Sequence, residues 1–238
     1  MSAPAKPVLP HSPDPGGLRA RKKAITRQAI SDEATRLFLE RGFDTVTLAE
    51  VAEAAGVSVK TIFNYFGSKE ELFLDREEHL HAVILAVIRD RGPNVKITEA
   101  LAELGAANRV IDGDDGWAGL ADPDGYPLFR RFLTVLHESP SLQARYLSSN
   151  ERLQALISAE LAAETGRPGD DVELRIFSAM LVVAMHQRMS VLTESVLAQR
   201  SPEETREKVV ATATVALARV ASAFPDLDRP GRSVERRA

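Results

Sequence analysis

The stretch TLAEVAEAAGVSVKTIFNYFGSK, from Thr47 to Lys69, leaves this chain few ways to fold. Leu48, Val51, Ala52 and Ala55 recur at i, i+3, i+4 and i+7, which makes one apolar stripe on a helix that Thr47 can N-cap. Gly56 breaks that helix. Ser58 can N-cap a second one, on which Ile62 and Phe66, with Val59 and Phe63 at the margins, form an apolar face to lie on the first. At about 100° per residue, Lys60, Thr61, Asn64 and Tyr65 fall on the opposite, hydrogen-bonding face. Helices this short hold only when packed. Two of them joined by a glycine turn have the geometry of a helix-turn-helix, whose second helix enters a major groove.

The charge balance fits such a reading once it is divided along the chain. The formal net charge is -4. Up to Lys69 there are 10 Lys and Arg against 7 Asp and Glu, giving +3, and the remainder has 20 against 27, giving -7. The acidic excess therefore lies away from the groove-reading segment, and an overall acidic chain can still bind DNA at one end. There is no cysteine, so disulfides, thiolate nucleophiles and cysteine metal sites are excluded together. With no apolar signal region at the start, and with Gln187 and Arg188 inside the most hydrophobic run, Ile176 to Leu192, neither secretion nor membrane spanning is expected. The chain is read as cytoplasmic.

Residues 1–17 are dominated by Pro, Gly, Ser and Ala and are expected to be a disordered arm. Arg19, Arg21, Lys22 and Lys23 follow, as either a solvated helix start or a group reaching phosphates or the adjacent minor groove. Ile30, Ala34, Leu37 and Phe38 mark a first helix that ends near Gly42, and with Phe43 and Val46 it closes a three-helix domain over residues 18–67. Ser68 and Glu71 form a capping box, from which one long helix is predicted to run to about Arg89, before Gly92 and Pro93. Further helices are predicted over Thr98 to Val110, Pro127 to His137, Pro140 to about Thr165, Asp171 to about Gln199, and Pro202 to Ala223. The fold class is all-α, with a larger helical domain over 68–225 and a disordered tail over 226–238. Phe177, Met180, Leu181, Ala184, Met185 and Val191 face Val209, Val210, Ala213, Leu217 and Val220 with more apolar surface than one antiparallel pair hides; it is either internal core or a dimer interface.

With these residues in view, the chain resembles the tetracycline-repressor (TetR) family of bacterial transcription regulators. The resemblance covers roughly residues 20 to 75 and rests on FLERGFDTVTLAEVAEAAGVSVKTIFNYFGSKEELF. Thr47, Val51, Ala52, Gly56, Val57, Ser58, Thr61, Tyr65, Phe66, Ser68 and Lys69 stand where the family pattern expects them. It implies a homodimer that binds a palindromic operator in double-stranded DNA, with a small-molecule effector held in the larger domain. Such proteins are mostly repressors released by their ligand. Carried onto matching positions, the resemblance implies that Thr47, Thr61, Tyr65 and Lys69 contact phosphate, and that Val59, Lys60 and Asn64 lie where bases are touched. Phe63 departs from the pattern: many members carry a tyrosine there whose hydroxyl holds the DNA backbone.

Lys60 matches guanine O6 and N7, and Asn64 matches adenine's donor and acceptor pair; phosphate or solvent is the other possibility for each. An effector pocket, if present, falls among Thr98 to Met189. Phe129, Phe132, Leu133, Leu136, Tyr146, Phe177, Met180, Met185 and Met189 are its candidate walls, with His137 and His186 as its polar groups. Ordinary core is the competing reading of each. An apolar or aromatic effector follows mainly from the resemblance. Trp117, in a loop rich in Asp and Gly, is a lid or a plug.

Enzyme chemistry has little support. Glu78 and His81 make a single Glu-x-x-His, a spacing that di-iron bundles need on two helices, and a solvated face is the simpler reading. No zinc-protease motif, phosphate loop or nucleophile elbow occurs, and nothing in the sequence asks for a cofactor. A helix-turn-helix regulator without a ligand, controlled by a protein partner or acting as an activator, remains open.

Overall fold

The computed structural model describes residues 17–106, 122 and 125–229. Trp117 and almost all of the N-terminal arm lie outside the described residues, among which there is no β-strand. The helices are α1 (Leu18–Arg41), α2 (Leu48–Ala54), α3 (Val59–Phe63), α4 (Lys69–Phe73), α5 (Glu77–Arg89), α6 (Ile97–Ala106), α7 (Gly125–Glu138), α8 (Pro140–Thr165), α9 (Val172–Leu197) and α10 (Pro202–Ala223). The chain divides into two compact units, Met1–Glu77 with Asp124–Arg145, and Glu78–Pro123 with Tyr146–Ala238.

The first unit is built around aromatic residues. Phe38, Phe43 and Phe73 meet pairwise at 5.1, 5.9 and 5.7 Å between ring centroids. Ile30, Ala34, Val51, Ile62 and Leu72 are buried around them. Gly42 ends α1 at φ 88°, a left-handed conformation that favours glycine, and its N–H returns to the Phe38 carbonyl at 2.9 Å. Asp124–Arg145, assigned from the sequence to the larger domain, packs in this unit instead. Phe132 of α7 lies flat on Phe73 with centroids 4.7 Å apart and planes 4° apart. Arg131 also donates to the Leu39 carbonyl at 2.8 Å.

The single helix predicted from Ser68 to Arg89 is two. It breaks at Leu74, with φ -94° and ψ 38°. The cause is distant in sequence: the buried Ser31 hydroxyl donates to the Asp75 carboxylate, and Arg27 donates to the Asp75 carbonyl at 3.4 Å. These bonds hold Asp75 against α1 and out of a continuous helix.

In the second unit α9 packs most extensively on α10, and α6 also packs on α10. The core holds Ile84, Ile88, Leu101, Ile157, Phe177 and Leu181. Helix α9 is long and apolar enough to cross a membrane, yet it is a partner of α10 here and carries the buried Arg188 within its length. The predicted tail begins too early: Leu227 and Asp228 are buried. The Asp228 carboxylate accepts from the Thr98 N–H at 2.9 Å and the Thr98 hydroxyl at 2.7 Å, which caps the N-terminus of α6. Arg91, its side chain only 1% exposed, donates to Glu164 at 2.5 and 3.1 Å and to the Arg229 carbonyl at 3.2 Å.

Candidate nucleic-acid interface

Local capping sets the geometry of α2 and α3. The Thr47 hydroxyl accepts from the Glu50 N–H, and the Glu50 carboxylate takes the Thr47 N–H at 2.8 Å, a complete capping box. Arg41 donates to the other Glu50 oxygen at 2.6 Å. The Thr47 backbone N–H above all, then Arg41 and the Thr47 hydroxyl, hold the Glu50 carboxyl down at about 2. Gly56, at φ 64°, turns the chain between the helices, and the Val57 N–H closes on the Ala52 carbonyl at 2.9 Å. Ser58 then caps α3, accepting from the Thr61 N–H at 3.1 Å.

Ile62 anchors α3 with 1% exposure, while Val59, Lys60, Phe63 and Asn64 are exposed on it or at its C-cap. Of the four residues that periodicity puts on the open face, Lys60 and Asn64 are exposed, and Val59, expected at the margin of the apolar face, is exposed with them. Phe63 joins them with 53% of its surface in water. Thr61 and Tyr65 are half-buried, Thr61 bonded to the Ser58 hydroxyl at 2.8 Å and Tyr65 packed on the core. The Thr47 hydroxyl donates to Glu50 at 2.8 Å, so it must leave that carboxylate before it can donate to a phosphate.

Lys69, the first residue of α4, turns towards the α1–α2 turn. Its ammonium donates to the Phe43 carbonyl at 2.5 Å and lies 4.3 Å from the centre of the Phe43 ring. Burial pulls its pKa below the usual lysine value, against the opposing charges of Asp44, Glu70 and Glu50. An ammonium has three donors, so the tertiary bond leaves others. Behind it, the Glu71 carboxylate accepts from the Gly67 N–H at 2.7 Å. A Cβ on Gly67 would meet that oxygen at 2.8 Å, so glycine permits the close approach.

The candidate effector residues do not gather in one unit. Phe129, Phe132, Leu133, Leu136 and His137 belong to the first, where Leu133 is 2% exposed and His137 is on the surface. Tyr146, Phe177, Met180, Met185, His186 and Met189 belong to the second. Phe177 packs on Phe224 at 5.4 Å, Met180 is 38% exposed, and Met185 lies against the core. The rings of Tyr146 and His186 meet at 5.6 Å. Arg188, a little further along α9 and 6% exposed, is the polar neighbour that the sequence presents only as an obstacle to membrane spanning. An open groove of about 260 Å³ lies elsewhere, lined by Gln154, Val172, Arg175, Ile176 and Ala179. Glu78 and His81 do not share a metal position: the Glu78 side chain is 79% exposed, whereas His81 is buried with its Nε2 3.1 Å from the Ser149 hydroxyl.

The family described as bacterial regulatory proteins, tetR family, matches residues 30–75. HTH-type transcriptional regulator TcmR of Streptomyces glaucescens is 32% identical over 167 residues, which covers 69% of this chain and 71% of TcmR. HTH-type transcriptional repressor AcnR of Corynebacterium efficiens is 28% identical over 169 residues, 69% of this chain and 80% of AcnR. Among solved structures, NalD of Pseudomonas aeruginosa, the secondary repressor of the MexAB-OprM multidrug efflux pump, shares the fold. Its TM-score is 0.50 at 18% identity, over 82% of this chain and 97% of NalD. The match to TcmR is far longer than a helix-turn-helix, and these relatives are regulators of transcription, not enzymes. The capped two-helix motif, the all-α architecture and the relatives agree: this chain belongs to the TetR family of bacterial transcription regulators.

Proposed function

We propose that this regulator is a cytoplasmic homodimeric repressor that leaves a palindromic operator when a small apolar or aromatic ligand binds. The observation that carries the DNA half is the open side of α3, where Lys60 and Asn64 stand exposed while Ile62 fixes the helix to the core. Val59, Lys60 and Asn64 face the bases, and Thr47, Thr61, Tyr65 and Lys69 hold the phosphates on either side. That AcnR and NalD are named repressors supports repression here.

Dimerisation is supported by apolar surface on the last two long helices. Val172, Ile176, Met180 and Val183 recur along α9 with 66, 47, 38 and 52% exposure, and Val215 of α10 is 62% exposed beside Ala211 and Ala218, also exposed. A second copy covering this stripe would set two α3 helices for successive major grooves, about 34 to 36 Å apart or a multiple of that. The ligand-free reading also has an observation behind it, since Phe132 and Phe177 are engaged as core by Phe73 and Phe224.

Fluorescence anisotropy against salt, on the DNA upstream of the protein's own gene and on its single-base variants, tests the assignment. Asn64→Ala should cost about 1–3 kcal/mol on the best operator and relax the preference at one symmetric pair of positions. Equal weakening on every operator variant would remove Asn64 from the bases. Lys69→Ala should weaken binding to all sequences alike and lower the salt slope by about 1. An unchanged slope would leave Lys69 only as the tie to Phe43. Release of the operator by one compound from a metabolite panel separates the ligand-gated reading from the ligand-free one.

A further inference from the structure

We propose that Phe63 reads thymine in the operator, its ring lying against the C5-methyl group that thymine presents in the major groove. The inference rests on the reading that α3 enters that groove. It adds a residue that selects A·T pairs by apolar contact rather than by hydrogen bonds.

The placement follows from the helical period. Asn64, the C-cap of α3, keeps helical angles of φ -72° and ψ -17°, and its N–H returns to the Lys60 and Thr61 carbonyls at 3.1 Å each. The period therefore holds from Val59 through Asn64, and residues four apart stand one turn above another. Lys60 and Asn64 make one exposed row, and Val59 and Phe63 make a second beside it. Measured from the buried Ile62 at about 100° per residue, Phe63 lies about 100° round the helix and Lys60 about 160°. The open face of α3 thus has a hydrogen-bonding half and an apolar half. Phe63 is 53% exposed and Val59 37%. Neither belongs to the core of the first unit or packs against it, whereas Tyr65, two residues beyond Phe63, does.

A single exposed apolar side chain needs no explanation on most of a protein's surface. On the helix that addresses DNA, its choice of partner is narrow. Phe63 has no polar atom, so it cannot donate to a phosphate as a tyrosine in its place would. The face of its ring carries the negative end of a quadrupole, which a phosphate oxygen opposes. Along the floor of the major groove, adenine, guanine and cytosine present hydrogen-bonding groups, and pressing these against a phenyl ring removes water without replacing its bonds. Thymine alone adds a methyl group. That methyl is the group that gains most from contact with the ring. The neighbouring row agrees with this choice, since Asn64 has the donor and acceptor that adenine offers. Asn64 on an adenine and Phe63 on a thymine methyl would together favour A·T pairs under the C-terminal end of α3.

Deoxyuridine tests this, because it removes the methyl and leaves the hydrogen-bonding groups of the base in place. The tightest-binding duplex that the full chain selects from a random pool serves as the operator, and each symmetric pair of thymines is replaced in turn. One such pair should cost about fifteenfold in affinity, the loss of one buried methyl from each half-site. Phe63→Ala should weaken binding to the thymine operator by at least as much and abolish the uracil effect at that pair alone. Phe63→Leu, still apolar, should keep part of it. Because Phe63 is exposed, both variants should melt as the parent does. A duplex in which no thymine pair responds to uracil, a response that survives Phe63→Ala, or one that Val59→Ala removes instead would each overturn the proposal. Uracil insensitivity while Asn64→Ala still relaxes the base preference would take only Phe63 out of the groove; a pool that yields no selected sequence would take out α3 as well.

Discussion

Glu164→Ala should lower the stability of the second unit by about 3 kcal/mol, the low end of what breaking a buried ion pair costs, because it strands the Arg91 guanidinium. The Arg91 side chain is 1% exposed and its two terminal nitrogens lie 2.5 and 3.1 Å from the Glu164 carboxylate. Glu164 keeps 21% of its side chain in water, which is why the low end applies. At roughly 2–4 °C per kcal/mol for a domain of this size, the melting temperature should fall by about 6–12 °C. The loss should spread. Arg91 also holds the Arg229 carbonyl at 3.2 Å, next to Asp228, so the Thr98 amide should exchange its hydrogen faster once Arg91 moves. Replacing both Arg91 and Glu164 with methionine should recover much of the stability, since no unpaired charge stays buried. A double variant as unstable as Glu164→Ala, or a single variant within about 0.5 kcal/mol of the parent, the range of an ordinary surface substitution, would refute this account.

What the sequence revealed follows from the range of the forces involved. The helix-turn-helix was legible because its determinants are local: Thr47 and Ser58 bond three residues ahead, and Gly56 turns the chain between two short apolar stripes. The bounds of α10 were legible for the same reason, with the Ser201 and Glu204 capping box before Pro202. The break at Leu74 was not. Local pattern favours a continuous helix there, and the bonds that override it come from Ser31 and Arg27, 44 and 48 residues away. Asp228 was hidden in the same way, since a polar residue near the end of a chain looks solvated until Thr98, 130 residues distant, is brought against it. The sequence offered Phe132 and Phe177 as pocket wall or ordinary core, and it cannot say which surface each one meets. Arg188 was visible only as a polar residue in an apolar run, and Gly105, the residue that accommodates it, carries no mark in sequence.

The largest functional effect should come from charge on the apolar stripe. With Val183→Glu and Val215→Glu together, the protein should behave as a monomer at micromolar concentration and bind its operator on the order of 10²–10⁴-fold more weakly, the gain that tethering a second reading head provides. Val183 and Val215 are 52% and 62% exposed in the isolated chain, so a glutamate at either position stays hydrated there and should cost the fold little. In a dimer the same carboxylates would be desolvated against apolar partners and, across a two-fold axis, brought near their own copies. Singly exposed valines need no explanation, but a row extending from Val172 through Ile176 and Met180 to Val183 is a continuous patch, and association removes it from water. Sedimentation equilibrium reports the oligomeric state, and thermal melting separates dissociation from misfolding. A monomer that melts like the parent chain and binds half-sites as well as whole operators is the expected result. An unchanged dimer would place the interface on another face, while a parent chain already monomeric at micromolar concentration would remove the two-headed mode of operator binding altogether.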